Sequence, residues 1–284
     1  MKLGVSTYNY GRSIREGAIN YDGIVAHAKK TGFDTLDISI KDDLRPFLPV
    51  IKKELAEEGM ELSCIALGAD FLRRDPKKEI ERVKSDLDIS AEMGAKVVRH
   101  DASAGFPMDF VGPRSFDNAL PLIVECCGEI TQYAKTLGIR TCTENHGFFA
   151  QDSERVEKII CAVNDANFGT LLDMGNFLCA DEDPLKAVAR MAPYAFHVHA
   201  KDFHFKSATE RMPSEGWFST RGGNYLRGAI VGHGIVPVFA CLKLIKKAGY
   251  CGTVALEFEG MESSLLGVEA GYRALDAYRK ELAE

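Results

Sequence analysis

The chain has 284 residues, of which 46% are hydrophobic and 27% are charged, which suits a large globular core. The net charge is −6 and the Lys and Arg residues are mixed with acidic ones, so no basic surface for DNA or RNA is indicated. The N-terminal apolar run is too short for a signal peptide, and no run approaches the roughly 18 residues of a membrane span, so we expect a cytoplasmic protein without a membrane partner.

Short apolar segments alternate with longer segments in which apolar residues recur every three or four positions, a pattern typical of strands alternating with amphipathic helices. The predicted strands are 2–8, 33–40, 61–68, 95–101, 139–145, 169–175, 195–202 and 252–260. The predicted helices are 21–32, 44–59, 77–94, 118–138, 153–167, 184–192, 236–250 and 266–284.

Five helical segments end on a glycine close to the next strand, as expected of helix C-caps, at Gly32, Gly59, Gly94, Gly138 and Gly249. No Gly-rich dinucleotide-binding loop follows the first strand, and no linker interrupts the series. The sequence therefore predicts one α/β domain, residues 1–284, folded as a (β/α)8 TIM barrel.

Four predicted strands in the second half of the chain end at a carboxylate or an imidazole: Glu144, Asp173, His199 and Glu257. In a closed parallel barrel these strand ends meet at one mouth, where barrel enzymes carry their catalytic groups. Three carboxylates and one imidazole are ligands that suit a hard divalent cation with positions open for substrate oxygens. We therefore predict one metal site formed by these four residues.

The longest interruption of the alternating pattern runs from residue 203 to about residue 234 and contains the only tryptophan, Trp217. Loops of this length in a compact barrel commonly cover or line a binding site, so we expect this loop to contribute to substrate binding.

The eight cysteines are scattered and form no CxxC pair, which argues against structural zinc. We expect reduced and mostly buried thiols.

Several motifs together carry a family resemblance. The segments ENHG (144–147), LDMGN (172–176), HVHAKD (197–202), RGAIVGHG (227–234) and GYCGTVALEFEG (249–260) resemble the xylose isomerase-like barrel superfamily, and the resemblance covers essentially the whole chain. That superfamily contains sugar phosphate isomerases and epimerases, ketose 3-epimerases, inosose dehydratases and endonuclease IV enzymes. The resemblance implies one divalent cation, Mn²⁺ first and Mg²⁺ or Co²⁺ as alternatives, on the four predicted ligands.

The resemblance also implies roles for individual residues. In the ketose 3-epimerases the two metal-bound glutamates exchange the substrate proton, and Glu144 and Glu257 match them. Arg227 matches an arginine that holds substrate oxygens. Asn176 departs from the pattern, because many epimerases and inosose dehydratases carry a substrate-contacting histidine there, and an amide cannot transfer a proton at neutral pH.

A second histidine offers another proton-transfer group. His146 lies two residues after Glu144, so in a strand both side chains face the barrel mouth. The arrangement is similar to that in metal-dependent C-glycoside deglycosidase subunits, in which a histidine deprotonates a phenol of a 3-oxo-glucoside. Lys201 could hold a substrate oxyanion or pair with Asp202, and His100 could line the mouth.

The first hypothesis is therefore a metal-dependent isomerase or epimerase acting on a ketose or keto-sugar. The alternative is a lyase of the same fold, either an inosose-type dehydratase or a C-glycoside deglycosidase with His146 as the base. By family habit we expect a homodimer or homotetramer, or a hetero-oligomer in the deglycosidase case. An endonuclease is disfavoured, because the chain has only seven histidines and an acidic charge balance.

Overall fold

The strands of the barrel were found where the sequence predicted them. The structure is a computed structural model that describes residues 1–283, so Glu284, the last residue of the predicted domain, lies outside it. The strands are β1 Lys2–Ser6, β2 Thr35–Ser39, β3 Glu61–Leu67, β4 Val97–His100, β5 Arg140–Glu144, β6 Phe168–Asp173, β7 Ala195–Ala200, β8 Asp202–Lys206, β9 Phe218–Ser219, β10 Tyr225–Ala229 and β11 Thr253–Leu256. Eight of them, β1 to β7 and β11, pair in parallel and close into a barrel.

The eight predicted α-helices are also present, and residues 1–283 contain one further short α-helix that the sequence did not predict. The helices are α1 Gly11–Arg15, α2 Ile24–Thr31, α3 Leu48–Glu57, α4 Pro76–Met93, α5 Phe116–Thr136, α6 Ser153–Val163, α7 Pro184–Met191, α8 Val238–Lys247 and α9 Ser264–Ala283. All five glycines predicted to end helices have positive φ. The predicted (β/α)8 TIM barrel is confirmed, and no helix among residues 1–283 is long and apolar enough to cross a membrane.

Helix α6 shows how the sequence sets these elements. The Asp152 carboxylate accepts a hydrogen bond from the Arg155 backbone N–H and so caps the first turn. Val156 and Ile159 are buried at a spacing of three residues, which presents one apolar face to the barrel. The helix ends at Asn164, whose left-handed backbone (φ 47°) turns the chain back towards β6.

The segment after β7 contains more regular secondary structure than predicted. Instead of a plain loop, residues 202–229 contain the strands β8, β9 and β10, which form a separate antiparallel sheet in the order β8, β10, β9. Asp202 ties the segment to the barrel, because its buried carboxylate accepts the backbone N–H groups of Phe203, Gly232, Gly234 and Val236. This part of the chain is therefore a fixed wall of the barrel mouth.

The cysteines are free, as expected, and six of the eight are buried. We predict that in the native protein only Cys161 and Cys251, which are exposed, react quickly with a thiol reagent such as 5,5′-dithiobis(2-nitrobenzoate). Burial raises the pKa of buried thiols such as Cys179 and Cys241 to about 12, which suppresses the reactive thiolate. The check is to count released chromophore before and after unfolding. More than two fast-reacting thiols in the folded protein would contradict the prediction.

Candidate active site

The four predicted ligands converge at the carboxyl end of the barrel. Glu144 ends β5, Asp173 ends β6, His199 lies near the end of β7 and Glu257 directly follows β11. One ligand atom from each of the four lies within 4.8 Å of the others. Asp173 and His199 are direct partners in the register of β6 and β7, so the barrel itself fixes their proximity.

Two ligand atoms in this group lack a hydrogen-bond partner although they are buried. They are Asp173 Oδ2 and His199 Nδ1, which lie 3.9 Å apart. The other oxygen of Asp173 accepts the backbone N–H groups of Gly175 and Asn176, so Oδ2 is the free one. Burial raises the pKa of Asp173 to about 7, which reflects the cost of an ionised carboxylate at this position. A divalent cation would satisfy both free atoms, and the donor set of three carboxylates and one imidazole fits such an ion.

The imidazole of His199 is held from behind by a carboxylate that sequence reasoning missed. Asp37, in β2, accepts hydrogen bonds at Oδ2 from Nε2 of His199 (3.0 Å) and from Nε2 of His197 (2.6 Å). Burial acts to raise the pKa of Asp37, but these two contacts outweigh burial and hold the pKa well below its usual range. The signal in the sequence is an acidic residue in the middle of β2, between Leu36 and Ile38. The same carboxylate oxygen is bonded to His197, the other histidine of β7.

Glu144 is engaged on both carboxylate oxygens. Its Oε1 accepts a hydrogen bond from Asn176 Nδ2 (2.9 Å), and its Oε2 lies 2.5 Å from Arg99 Nη2. The same guanidinium nitrogen lies 2.6 Å from Asp101 Oδ1. The buried Arg99 therefore links the carboxylate of Glu144 to that of Asp101.

His146 stands beside this group and is half exposed. Its Nδ1 lies 2.9 Å from Asp101 Oδ1, so Nε2 is the ring nitrogen left for another partner. The partial burial of the ring acts to lower the pKa of His146. The Asp101 carboxylate outweighs this effect, so the pKa lies above its usual value. His146 and Asp101 therefore form an imidazole–carboxylate pair at the barrel mouth.

Lys201 lies among the acidic ligands rather than beside Asp202. Its Nζ is 2.5 Å from Glu257 Oε2, 3.5 Å from Asp173 Oδ2 and 3.2 Å from Asn176 Oδ1. The suggested pairing with Asp202 is wrong, because the Asp202 carboxylate is taken up by backbone N–H groups. Although burial opposes charge on both groups, the ion pair raises the pKa of Lys201 and lowers that of Glu257.

Two neighbouring cavities open at this rim. The first, of about 290 Å³, is lined by Glu144, His199 and Glu257 together with Arg99 and Asp101. The second is about 420 Å³ and is lined by Phe148, Phe218 and Asn176 among others. The two cavities have four lining residues in common, Tyr8, His146, Lys201 and Glu259. Their size suits a small molecule.

Comparison with known proteins places the barrel in a family. Residues 25–282 match the family described as xylose isomerase-like TIM barrel. The chain belongs to this family.

One curated relative and two solved structures illustrate which proteins this xylose isomerase-like barrel is similar to. The chain is 22% identical to an inosose dehydratase from Geobacillus thermodenitrificans over 86% of this chain and 83% of that one. It superimposes on D-psicose 3-epimerase from Clostridium cellulolyticum H10 with a TM-score of 0.72 at 17% identity, covering 99% of each chain. A xylose isomerase-like barrel from Mycobacterium smegmatis, in complex with magnesium, gives a TM-score of 0.72 at 17% identity, covering 99% of this chain and 97% of that one.

One residue predicted to bind substrate in this xylose isomerase-like barrel lies elsewhere. His100 is fully buried, its Nδ1 is 2.9 Å from the Asp101 carbonyl oxygen, and its ring packs against Phe71 and Phe168. This position contradicts the prediction that His100 contacts substrate. His100 alternates with Arg99 along β4, and Arg99 is the residue that faces the site.

Arg227 and Trp217 lie at the edge of the site and contact each other. The Arg227 guanidinium lies over the Trp217 ring at 5.8 Å. Neither side chain lines either of the two cavities at the mouth. Their predicted contact with substrate stays a prediction.

Proposed function

We propose that this protein is a divalent-metal-dependent enzyme that removes a proton from the carbon next to a carbonyl of a keto-sugar, and that the outcome is elimination, as in a lyase. The observation that carries the proposal is the juxtaposition of two features at the barrel mouth. The ligand group holds two buried atoms without partners, Asp173 Oδ2 and His199 Nδ1. Beside it stands the pair of His146 and Asp101, with one imidazole nitrogen left for a substrate.

The cation would be held by Glu144, Asp173, His199 and Glu257. When bound, a divalent cation supplies Lewis-acid polarisation of a substrate carbonyl oxygen. We propose Mn²⁺ as the resident ion, with Mg²⁺ or Co²⁺ able to replace it, because the donor set is mostly carboxylate oxygen. The magnesium in the Mycobacterium smegmatis relative supports a hard cation.

His146 is the best-placed base in this arrangement. Asp101 holds Nδ1 and thereby orients the ring, so that Nε2 can accept a proton from a substrate in the first cavity. Glu144 is a poorer candidate, because Arg99 and Asn176 occupy both of its oxygens. A single base on one side of the substrate favours elimination over a two-base inversion, and the relative named inosose dehydratase supports that branch.

Epimerisation remains the second candidate. It requires two carboxylates that exchange a proton across the substrate carbon, and Glu144 and Glu257 are the residues for that role. The structural likeness to D-psicose 3-epimerase favours it at the level of the fold. In either case we propose that Asn176 and Lys201, which flank the carboxylates, hold substrate oxygens.

The deciding experiment follows hydrogen exchange directly. Metal-stripped protein is reconstituted with Mg²⁺, which is diamagnetic, and incubated in D2O with a panel of ketoses, inososes and 3-oxo-glucosides under proton NMR. Loss of water or of an aglycone, together with deuterium next to the carbonyl, would identify the lyase and its substrate. Deuterium incorporation with an inverted but intact sugar would establish the epimerase instead. No exchange with any member of the panel, despite measurable cation binding, would reject both activities for the isolated chain.

A further inference from the structure

Behind the candidate cation site lies a buried group that the proposed chemistry does not use. It consists of Asp37 in β2, Ser63 in β3 and the two histidines of β7, His197 and His199. Asp37 is fully buried, and its two oxygens accept three side-chain hydrogen bonds, from Ser63 at Oδ1 and from both imidazoles at Oδ2. A carboxylate with this many partners inside a barrel is fixed in one orientation.

We propose that Asp37 is a positioning residue that selects the ring nitrogen with which His199 meets the cation. The inference deepens the proposed function and rests on it only in requiring that a cation binds. Asp37 touches neither the cation nor the substrate in this scheme. It acts through His199 alone.

The number of protons on an imidazole decides which ring nitrogen can bind a cation. An ionised carboxylate only accepts hydrogen bonds, so the proton in the contact between His199 and Asp37 belongs to Nε2. A neutral imidazole carries one ring proton, so Nδ1 then presents a lone pair. That lone pair is aimed into the ligand group, because Nδ1 lies 3.7 Å from Glu257 Oε2 and 3.9 Å from Asp173 Oδ2. Asp37 thus fixes both the tautomer and the direction of the ligand.

Ser63 and His197 keep Asp37 in place. The Ser63 hydroxyl donates to Oδ1 at 2.5 Å, which opposes rotation of the carboxylate about its own axis. His197 Nε2 bonds to the same oxygen as His199 but at the shorter distance of 2.6 Å. Since β2 pairs with β3, the backbone that carries Asp37 is fixed to the strand that carries Ser63. Asp37 therefore cannot easily move with the His199 ring if that ring is displaced.

The same three side chains, Asp37, His197 and His199, could in principle hold a second cation, since their ligand atoms also lie within 4.8 Å of one another. The distances of 2.6 Å and 3.0 Å argue against it, because they are those of N–H to oxygen hydrogen bonds. A cation there would require both Nε2 atoms to lose their protons. The number of cations bound per chain separates the two arrangements.

The test compares Asp37→Asn with the wild type and with Asp34→Asn, which makes the same change in the same region. Asp34 is a matched control, since it contacts Leu3 and Arg279 and not the ligand group. Calorimetric titration of metal-stripped protein with Co²⁺ gives affinity and stoichiometry. We expect Asp37→Asn to bind about 10–100-fold more weakly, the usual cost of losing such a supporting partner, and Asp34→Asn to bind as the wild type does.

A spectroscopic measurement adds a readout that a merely structural role would not change. In the Co²⁺-loaded wild type, the proton on Nε2 of the coordinated His199 should give a hyperfine-shifted NMR signal that exchanges slowly with water. In Asp37→Asn that proton should exchange faster or the signal should be lost. If Asp37→Asn does not fold, Ser63→Ala should show a smaller change in the same direction in both affinity and exchange.

Three outcomes would overturn the inference. Equal Co²⁺ affinity and an unchanged N–H signal in Asp37→Asn would reject the positioning role while leaving the cation site intact. Two cations per wild-type chain and one in Asp37→Asn would make Asp37 a ligand instead. A wild type that binds no cation would overturn the proposed function and this inference together.

Discussion

Asp173→Asn is expected to lose cation binding and activity without losing the fold. The Oδ2 atom of Asp173 is buried and has no hydrogen-bond partner within residues 1–283, and the Lys201 ammonium lies 3.5 Å away. Because burial still raises the pKa of Asp173 to about 7 despite Lys201, its negative charge costs free energy that a bound cation would offset. The amide removes that charge and with it one anionic ligand. Because loss of a supporting partner alone costs about 10–100-fold in metal affinity, loss of a ligand should cost more than about 100-fold.

The effect on catalysis should be at least as large. Polarisation of a carbonyl by a bound ion stabilises the transition state by several kcal/mol, and about 1.4 kcal/mol corresponds to a factor of ten. Turnover of Asp173→Asn should therefore fall by about 1,000-fold or more. The measurements are calorimetric titration with Mn²⁺ and the deuterium-exchange assay on the substrate identified by it.

Two comparisons make the Asp173 prediction specific. Asp117→Asn makes the same substitution at an exposed position in the first turn of α5, and it should leave both Mn²⁺ affinity and turnover unchanged. The free energy of unfolding of metal-free Asp173→Asn should not fall below that of the metal-free wild type, because the variant removes a buried charge. Wild-type Mn²⁺ affinity in Asp173→Asn would contradict the assignment of the ligand group.

The barrel and the convergence of the four candidate ligands could be predicted from the sequence for a simple physical reason. A carboxylate or imidazole that ends an apolar strand of a closed parallel barrel can only lie at its carboxyl-end rim. Glu144, Asp173, His199 and Glu257 all meet that condition. Their convergence follows from the strand order and does not depend on details of packing.

Residues that act across the barrel could not be predicted in the same way. Asp37 lies 160 residues before His197, and nothing in the segment around Asp37 indicates a partner so distant. The contact of Arg99 with Glu144 is hidden for a different reason: Asp101, two residues along the chain, is also a possible partner, and Arg99 in fact contacts both carboxylates. Pairing in a barrel interior depends on which side chains the closed sheet brings face to face, and a single sequence does not record it.

The antiparallel sheet of residues 202–229 escaped prediction because its strands are short and widely separated. β9 has only two residues, and a polar segment without a clear period lies between β8 and β9. Asp181 helps to hold the turn between β9 and β10, since its carboxylate accepts hydrogen bonds from Thr220, Gly222 and Asn224. Such tertiary contacts, and not local strand propensity, keep the sheet in place.

His146→Ala is the variant that separates elimination from epimerisation. If His146 is the base of an elimination, the variant should lose about 10²–10⁴-fold in turnover, the usual contribution of a positioned general base. Its affinity for Mn²⁺ should stay close to that of the wild type, because the imidazole is bonded to Asp101 and lies outside the ligand group. The measurements are the rate of product release with the substrate identified by NMR and calorimetric titration with Mn²⁺.

Two further variants serve as controls for His146→Ala: one at its hydrogen-bond partner Asp101 and one at the exposed His233. His233→Ala removes an exposed histidine that lines neither cavity, so it should not change the rate. Asp101→Asn keeps the imidazole but removes the carboxylate that orients it, and it should lose part of the rate that His146→Ala loses in full. An epimerase that used Glu144 and Glu257 would keep most of its deuterium exchange in His146→Ala, because neither carboxylate needs the imidazole. Exchange within about tenfold of the wild type in that variant would therefore reject His146 as the base and assign proton transfer to the two glutamates.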